Sequence, residues 1–180
     1  MQITTTPFNG LILVQPPVFS DSRGYFFESW NRQKFLDLGI PADFVQDNQS
    51  GSIGNVIRGL HVQLPPHAQG KLVRVIRGAV LDVALDLRRN EPTFGQHFSI
   101  RLSAKDHQML YIPEGFAHGF RTLENDTVFF YKCSSHYHQA SERTIQWDDP
   151  ALGIDWGTNA PILSEKDQAG ILFRDFHSPF

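Results

Sequence analysis

The sequence predicts an all-β fold, a jelly-roll sandwich or barrel of antiparallel strands with a few short flanking helices, and three observations lead there. Apolar and polar residues alternate with a period of two through most of the middle of the chain, as in Val80-Leu-Asp-Val-Ala-Leu-Asp-Leu87 and Thr127-Val-Phe-Phe-Tyr-Lys-Cys133. The alternating segments are short and are separated by turns rich in Gly, Pro, Asn and Asp. Little of the sequence between them has a helical period, so nothing is available to cross over between parallel strands or to cover a parallel sheet on both faces.

The elements follow in order. Strands are expected over residues 11–18 and 24–30, then a helix with Asn31 as its N-cap, Phe35 and Leu38 on its apolar face and Gly39 as its C-terminal stop. Further strands are expected over residues 44–49, 56–64, 71–77, 80–87, 96–102, 108–112, 117–122 and 127–133. A second short helix is expected to begin at Ser164. No repeat, linker or low-complexity tract interrupts this pattern, so residues 1–180 are expected to form one domain.

Composition narrows the function. A chain of 180 residues that is 41% hydrophobic and 12% aromatic can bury one sizeable core. Sixteen Lys and Arg against nineteen Asp and Glu give a formal charge of −3, which supplies no bulk attraction to nucleic acid or anionic membrane. No apolar run approaches the roughly 18 residues of a membrane span. A single cysteine, Cys133, and a polar opening at residues 2–6 in place of a secretion signal point to a cytoplasmic setting.

Chemistry concentrates in Arg58-Gly-Leu-His-Val-Gln63 and Gln69-Gly-Lys-Leu-Val-Arg-Val-Ile-Arg-Gly78. Regular alternation puts Lys71 on one face with Val73 and Val75, an ammonium on an otherwise apolar surface. Such a charge is costly unless it is paired or used, and a negative charge that develops during a reaction is one use. A lone strand-end lysine would more often snorkel to water. His61 and Gln63 share a parity on the preceding strand, and a histidine held neutral beside a lysine is suited to act as a general base near neutral pH. Arg58 has the opposite parity, so it joins His61 on one face only if Gly59 permits a bulge. His118 lies among Phe116 and Phe120, either packed or donating to a ligand, and Tyr131 is a phenol among apolar neighbours that needs a partner or a proton-donor role. Pro113-Glu-Gly-Phe-Ala-His118 matches the later element of cupin metal sites. Gln63 replaces the usual second histidine, however, and Lys71 the usual glutamate, so a cupin-type scaffold without metal is expected.

At these residues the sequence resembles the dTDP-4-dehydrorhamnose 3,5-epimerase family. The carriers are Asp21-Ser-Arg-Gly-Tyr-Phe-Phe-Glu28, Gln46-Asp-Asn48, Arg58-Gly-Leu-His61, Gln69-Gly-Lys71, Ile112-Pro-Glu-Gly-Phe-Ala-His-Gly-Phe120, Tyr131-Lys132, Ile154-Asp-Trp156 and Leu163-Ser-Glu-Lys-Asp167, in order along nearly the whole chain. The resemblance implies a jelly roll that inverts C3 and C5 of dTDP-4-keto-6-deoxy-D-glucose without a cofactor. It assigns His61 as base, Lys71 as stabiliser of the enolate, Tyr131 as the opposing acid and Asp167 as the partner of His61. Ser164-Glu-Lys-Asp167 is also a capping-box pattern, so Asp167 can equally be a helix cap.

For the nucleotide, the resemblance implies Arg23 and Arg58 at the phosphates with Lys166 assisting. Glu28, Gln46, Asp47 and Asn48 would surround the nucleotide, Phe26 and Tyr137 would stack, Glu142 would lie nearby, and Gln63 and His118 would contact substrate. It further implies a homodimer in which an exchanged strand brings Arg23, Phe26 and Glu28 to the other subunit's site. The run Cys133-Ser-Ser-His-Tyr-His-Gln-Ala-Ser-Glu142 departs from the family, notably at His136 and Gln139, and leaves open a relative that inverts only one centre. A metal-dependent cupin oxygenase or isomerase and a noncatalytic sugar-nucleotide-binding jelly roll are the remaining alternatives.

Overall fold

The computed structural model describes residues 1–41 and 43–180. The chain begins with β1 (Gln2–Thr5), β2 (Ile12–Gln15), a hairpin of β3 (Phe19–Asp21) and β4 (Gly24–Phe26), and helix α1 (Arg32–Asp37). Next come β5 (Gln46–Ser52), β6 (Ile57–Gln63), β7 (Lys71–Arg77) and β8 (Ala79–Asp86). They are followed by β9 (His97–Ser103), β10 (Met109–Ile112), β11 (Phe116–Thr122), β12 (Thr127–Cys133), β13 (Glu142–Thr144) and helix α2 (Glu165–Gln168).

Two antiparallel sheets form the body, one in the order β1-β2-β10-β7-β12-β5 and the other β13-β6-β11-β8-β9. Their inner faces meet where Val73, Val75 and Phe129 of the first pack on Val80, Ala84 and Phe120 of the second. The period of two then sends alternate residues outward. Val83, Leu85 and Ala117 pack under the C-terminal Leu152, Trp156 and Phe176, while Val14, Leu72 and Met109 pack under Phe35 and Ile40. Both sheets are thus covered on both faces without crossover helices, the all-β jelly-roll arrangement that the alternation predicts. Among the described residues, no helix is long and apolar enough to cross a membrane.

All the expected strands form, with edges moved by a few residues. The expected strand over 24–30 stops at Phe26, and the one over 44–49 is displaced to Gln46–Ser52. Three strands that periodicity does not reveal, β1, β3 and β13, have only three or four residues each. β1 is exposed throughout and held by its pairing with β2 alone, so it carries no apolar period to read. Both helices start where their caps predict: the Asn31 side chain accepts from the Lys34 N–H, and the Ser164 hydroxyl from the Asp167 N–H.

Candidate active site

A cavity of about 500 Å³ opens between the sheets. Asn48 and Ser50 of β5, Lys71 of β7 and Tyr131 of β12 line it from the six-stranded sheet. Arg58, His61 and Gln63 of β6 and His118 of β11 line it from the five-stranded sheet. Helix α2 closes one end with Lys166 and Asp167.

Arg58 and His61 reach this cavity together because β6 carries a bulge. His61 pairs with His118 and Arg58 with Phe120, so three steps on β6 match two on β11 and the extra residue cancels the parity difference. Gly59 makes this possible. Its φ is +119°, and a Cβ there would lie 2.5 Å from the Gly119 Cα and 2.6 Å from the His118 carbonyl oxygen.

Asp167 contacts both partners that the sequence offers it, His61 and Ser164. One carboxylate oxygen, Oδ1, lies 2.6 Å from His61 Nε2 and accepts from the Gly59 N–H at 3.3 Å. The other, Oδ2, accepts from the Ser164 hydroxyl at 2.7 Å, while the Asp167 N–H donates back to that hydroxyl at 3.2 Å. Burial opposes the charge on this carboxylate, but His61, Ser164 and Gly59 together hold its pKa below the ordinary value. Burial also lowers the His61 pKa, against the opposing pull of Asp167, with Lys166 and Lys71 pushing the same way as burial. The result is a neutral imidazole backed by an anion, the resting state of a general base.

Lys71 shares the inner face with Val73 and Val75 as the alternation predicts, and burial lowers its pKa against the pull of Cys133, Glu142 and Asp82. Its Nζ lies 5.9 Å from the centre of the Tyr131 ring on the neighbouring strand. Burial pushes the Tyr131 phenol up to about 12, so it keeps its proton at neutral pH. His118 is buried, and its Nε2 lies 2.9 Å from Asp82 Oδ2 in a second imidazole–carboxylate pair.

At the mouth, the exposed Tyr137 donates its N–H to Gln46 Oε1 at 2.8 Å and its hydroxyl to Glu142 Oε2 at 3.0 Å. Lys166 Nζ donates to the other Glu142 oxygen at 2.9 Å. Burial raises the Glu142 pKa, but those two donors and His61 leave it below the ordinary value.

Several residues implied by resemblance lie elsewhere. Gln46, Asn48 and Ser50 face the cavity, whereas the intervening Asp47 faces outward and pairs with Lys132 at 2.8 Å, because β5 alternates. Arg23 pairs with Asp21 at 2.6 Å on the β3–β4 hairpin and is exposed. Phe26 is also exposed on that hairpin, and Glu28 is bound by Lys34 and Asn31. None of these three lines the cavity of its own chain. Sequence reasoning passed over Asp82 and Ser50. An aspartate at the centre of the apolar strand β8 is a readable sign of a buried partner, whereas a serine in a polar strand gives no sign.

Fold and site together define a jelly-roll protein equipped for proton transfer beside a cation that can receive developing negative charge. A family model described as dTDP-4-dehydrorhamnose 3,5-epimerase matches residues 5–175. A dTDP-4-dehydrorhamnose 3,5-epimerase of Pseudomonas aeruginosa is 50% identical over 177 residues, covering 97% of each chain. One of Salmonella typhimurium is 49% identical over 174 residues, covering 96% of this chain and 95% of its own. The crystal structure of a dTDP-6-deoxy-D-glucose-3,5-epimerase from Legionella pneumophila in complex with dTDP-4-keto-L-rhamnose is 43% identical, with a TM-score of 0.93 over 98% of this chain and 94% of its own. The chain belongs to the dTDP-4-dehydrorhamnose 3,5-epimerase family.

Proposed function

We propose that this protein is an isomerase that inverts C3 and C5 of dTDP-4-keto-6-deoxy-D-glucose to give dTDP-4-keto-L-rhamnose. Both C–H bonds flank the C4 ketone, so loss of either proton leaves an enolate whose charge gathers on the ketone oxygen. His61 takes the proton, the Lys71 ammonium stabilises the oxygen, and Tyr131 returns a proton to the opposite face of the carbon. Asp167 orients His61 and stabilises the imidazolium formed on proton uptake. The observation that carries this reading is that His61, backed by Asp167 at 2.6 Å, and the protonated Tyr131 approach one cavity from opposite sheets, with Lys71 beside the phenol. Inversion requires a base and an acid on opposite faces, and two facing sheets supply them.

Arg58 and Lys166 supply cations for the diphosphate, and Gln46, Asn48 and Tyr137 surround the thymidine. Arg23, Phe26 and Glu28 act from a second copy of the chain in a homodimer. What supports this is that none of them lines the cavity of its own chain, together with the exposure of Phe19, Tyr25 and Phe26 at 63–67% on one small hairpin. The free thiol of Cys133 fits a cytoplasmic setting.

The test is solvent deuterium incorporation at C3 and C5 of dTDP-4-keto-6-deoxyglucose, followed by proton magnetic resonance. Incorporation at both carbons is expected, abolished in His61→Ala and strongly reduced in Lys71→Ala. A His61→Ala protein that exchanges at full rate removes the proposed base. Exchange at one carbon alone marks a single-centre epimerase.

A further inference from the structure

Tyr137 lies on the irregular stretch after β12 and is 53% exposed, so packing alone does little to fix its ring. Its backbone is held instead by side chains: Gln46 accepts from its own N–H at 2.8 Å, and a buried glutamine grips the groups on either side. Gln63, 5% exposed at the end of β6, donates from Nε2 to the His136 carbonyl at 3.1 Å and accepts at Oε1 from the His138 N–H at 2.9 Å. These are the carbonyl immediately before Tyr137 and the amide immediately after it. A single side-chain amide therefore grips both peptides that flank the tyrosine, much as a neighbouring strand would.

The same Nε2 also donates to the His67 carbonyl, tying in the loop that follows Pro65 and Pro66. The His67 and His138 rings stack across that junction with centroids 3.9 Å apart. Glu142, which holds the Tyr137 hydroxyl, is the cross-strand partner of Gln63 between β13 and β6. This pair of opposed residues thus holds the peptides that flank the tyrosine and its hydroxyl, while Gln46 holds its N–H.

We infer that Gln63 is a positioning residue that acts through Tyr137: it sets affinity for the nucleobase end of the substrate and takes no part in proton transfer. Both hydrogens of its amide are committed to carbonyls and its oxygen to an N–H. Gln63 could donate to a substrate only by breaking one of these bonds, since both of its amide hydrogens are already taken. The chemistry demands an amide, since a carboxylate cannot donate to two carbonyl oxygens and an apolar side chain strands all three partners. The inference rests on the proposed stacking role of Tyr137.

The test is a double-mutant cycle on Gln63→Leu and Tyr137→Ala. It reads dTDP binding by calorimetry, inorganic pyrophosphate binding, and kcat and KM for the sugar nucleotide. Gln63→Leu is expected to raise the Kd for dTDP and the KM about tenfold. It should leave kcat within about threefold and the pyrophosphate Kd within about twofold, since pyrophosphate has no base to stack. In the Tyr137→Ala background the same change should weaken dTDP by less than about twofold, because there is no ring left to position.

Equal losses in both backgrounds overturn the inference and make Gln63 a direct ligand contact. A fall in kcat with unchanged KM overturns it in favour of a role in the chemistry. Tyr137→Ala binding dTDP as tightly as the unaltered protein also overturns it. Gln63→Glu, which keeps size and shape but loses both donated bonds, gives the same comparison should Gln63→Leu not fold, and unchanged dTDP affinity in it is equally fatal. If the cycle shows the coupling on dTDP while the unaltered protein exchanges no deuterium, this inference stands and the epimerase reading is removed.

Discussion

Asp167 shows how one residue can satisfy two patterns that compete on paper. Its two carboxylate oxygens are divided, Oδ1 to the His61 imidazole and Oδ2 to the Ser164 cap, so the cap holds the carboxylate where the imidazole needs it. Asp167→Asn should lower kcat/KM by about 10²–10⁴. Because Asp167 raises the His61 pKa against burial, its loss should move the acidic limb of the pH–kcat/KM profile to lower pH. A limb that stays put or rises would separate the two groups. The folded imidazole protonates below its unfolded value. Its contribution to stability is therefore present above about pH 6.5 and is lost as pH falls through the depressed folded value. Lys71 is the opposite kind of case, a residue kept at a cost. Burial depresses its pKa, so its charge weighs against the folded state at neutral pH. Lys71→Met should raise Tm by about 2–4 °C in calorimetry while activity collapses, whereas a drop in Tm would show that the ammonium is well compensated.

At the level of elements, β6 and β5 carry the site and are the least regular readings. Strict alternation puts Arg58 and His61 on opposite faces of β6; the bulge at Gly59 reverses that, and only a glycine fits against Gly119 there. Gly59→Ala should destabilise the protein by more than about 2 kcal/mol and abolish activity, checked by denaturant unfolding and turnover. A stable, active variant would mean that β6 can reach the cavity without the bulge. β5 reads as a weak strand, Gln-Asp-Asn-Gln-Ser-Gly-Ser, because its inward face is polar. That face borders a ligand cavity instead of the core, so the hydrophobic signal that marks other strands is missing for a functional reason.

Across the whole molecule, the β3–β4 hairpin is the feature that one chain leaves unexplained. It carries Phe19, Tyr25 and Phe26 exposed together, next to Arg23. If it completes the site of a second copy, sedimentation should give twice the 20.5 kDa chain mass. Phe26→Asp should then shift the protein toward monomer and raise the KM for the sugar nucleotide together. A monomeric native protein, or a dimeric variant with unchanged KM, would count against exchange of this hairpin.

The sequence by itself determined the all-β jelly-roll class, the helix caps and the inward face of Lys71, and it singled out His61 and Tyr131 as candidates for proton transfer. Each rests on a local period, on a cap spacing or on a motif whose residues stand close together in the chain. Tertiary structure alone decided the face of Arg58, the outward turn of Asp47, the joining of Asp167 to both His61 and Ser164, the Asp82 partner of His118 and the commitment of Gln63 to the peptides flanking Tyr137. These depend on a bulge and on contacts between residues up to 108 positions apart. No periodicity in a single strand encodes which distant polar group its side chain will meet.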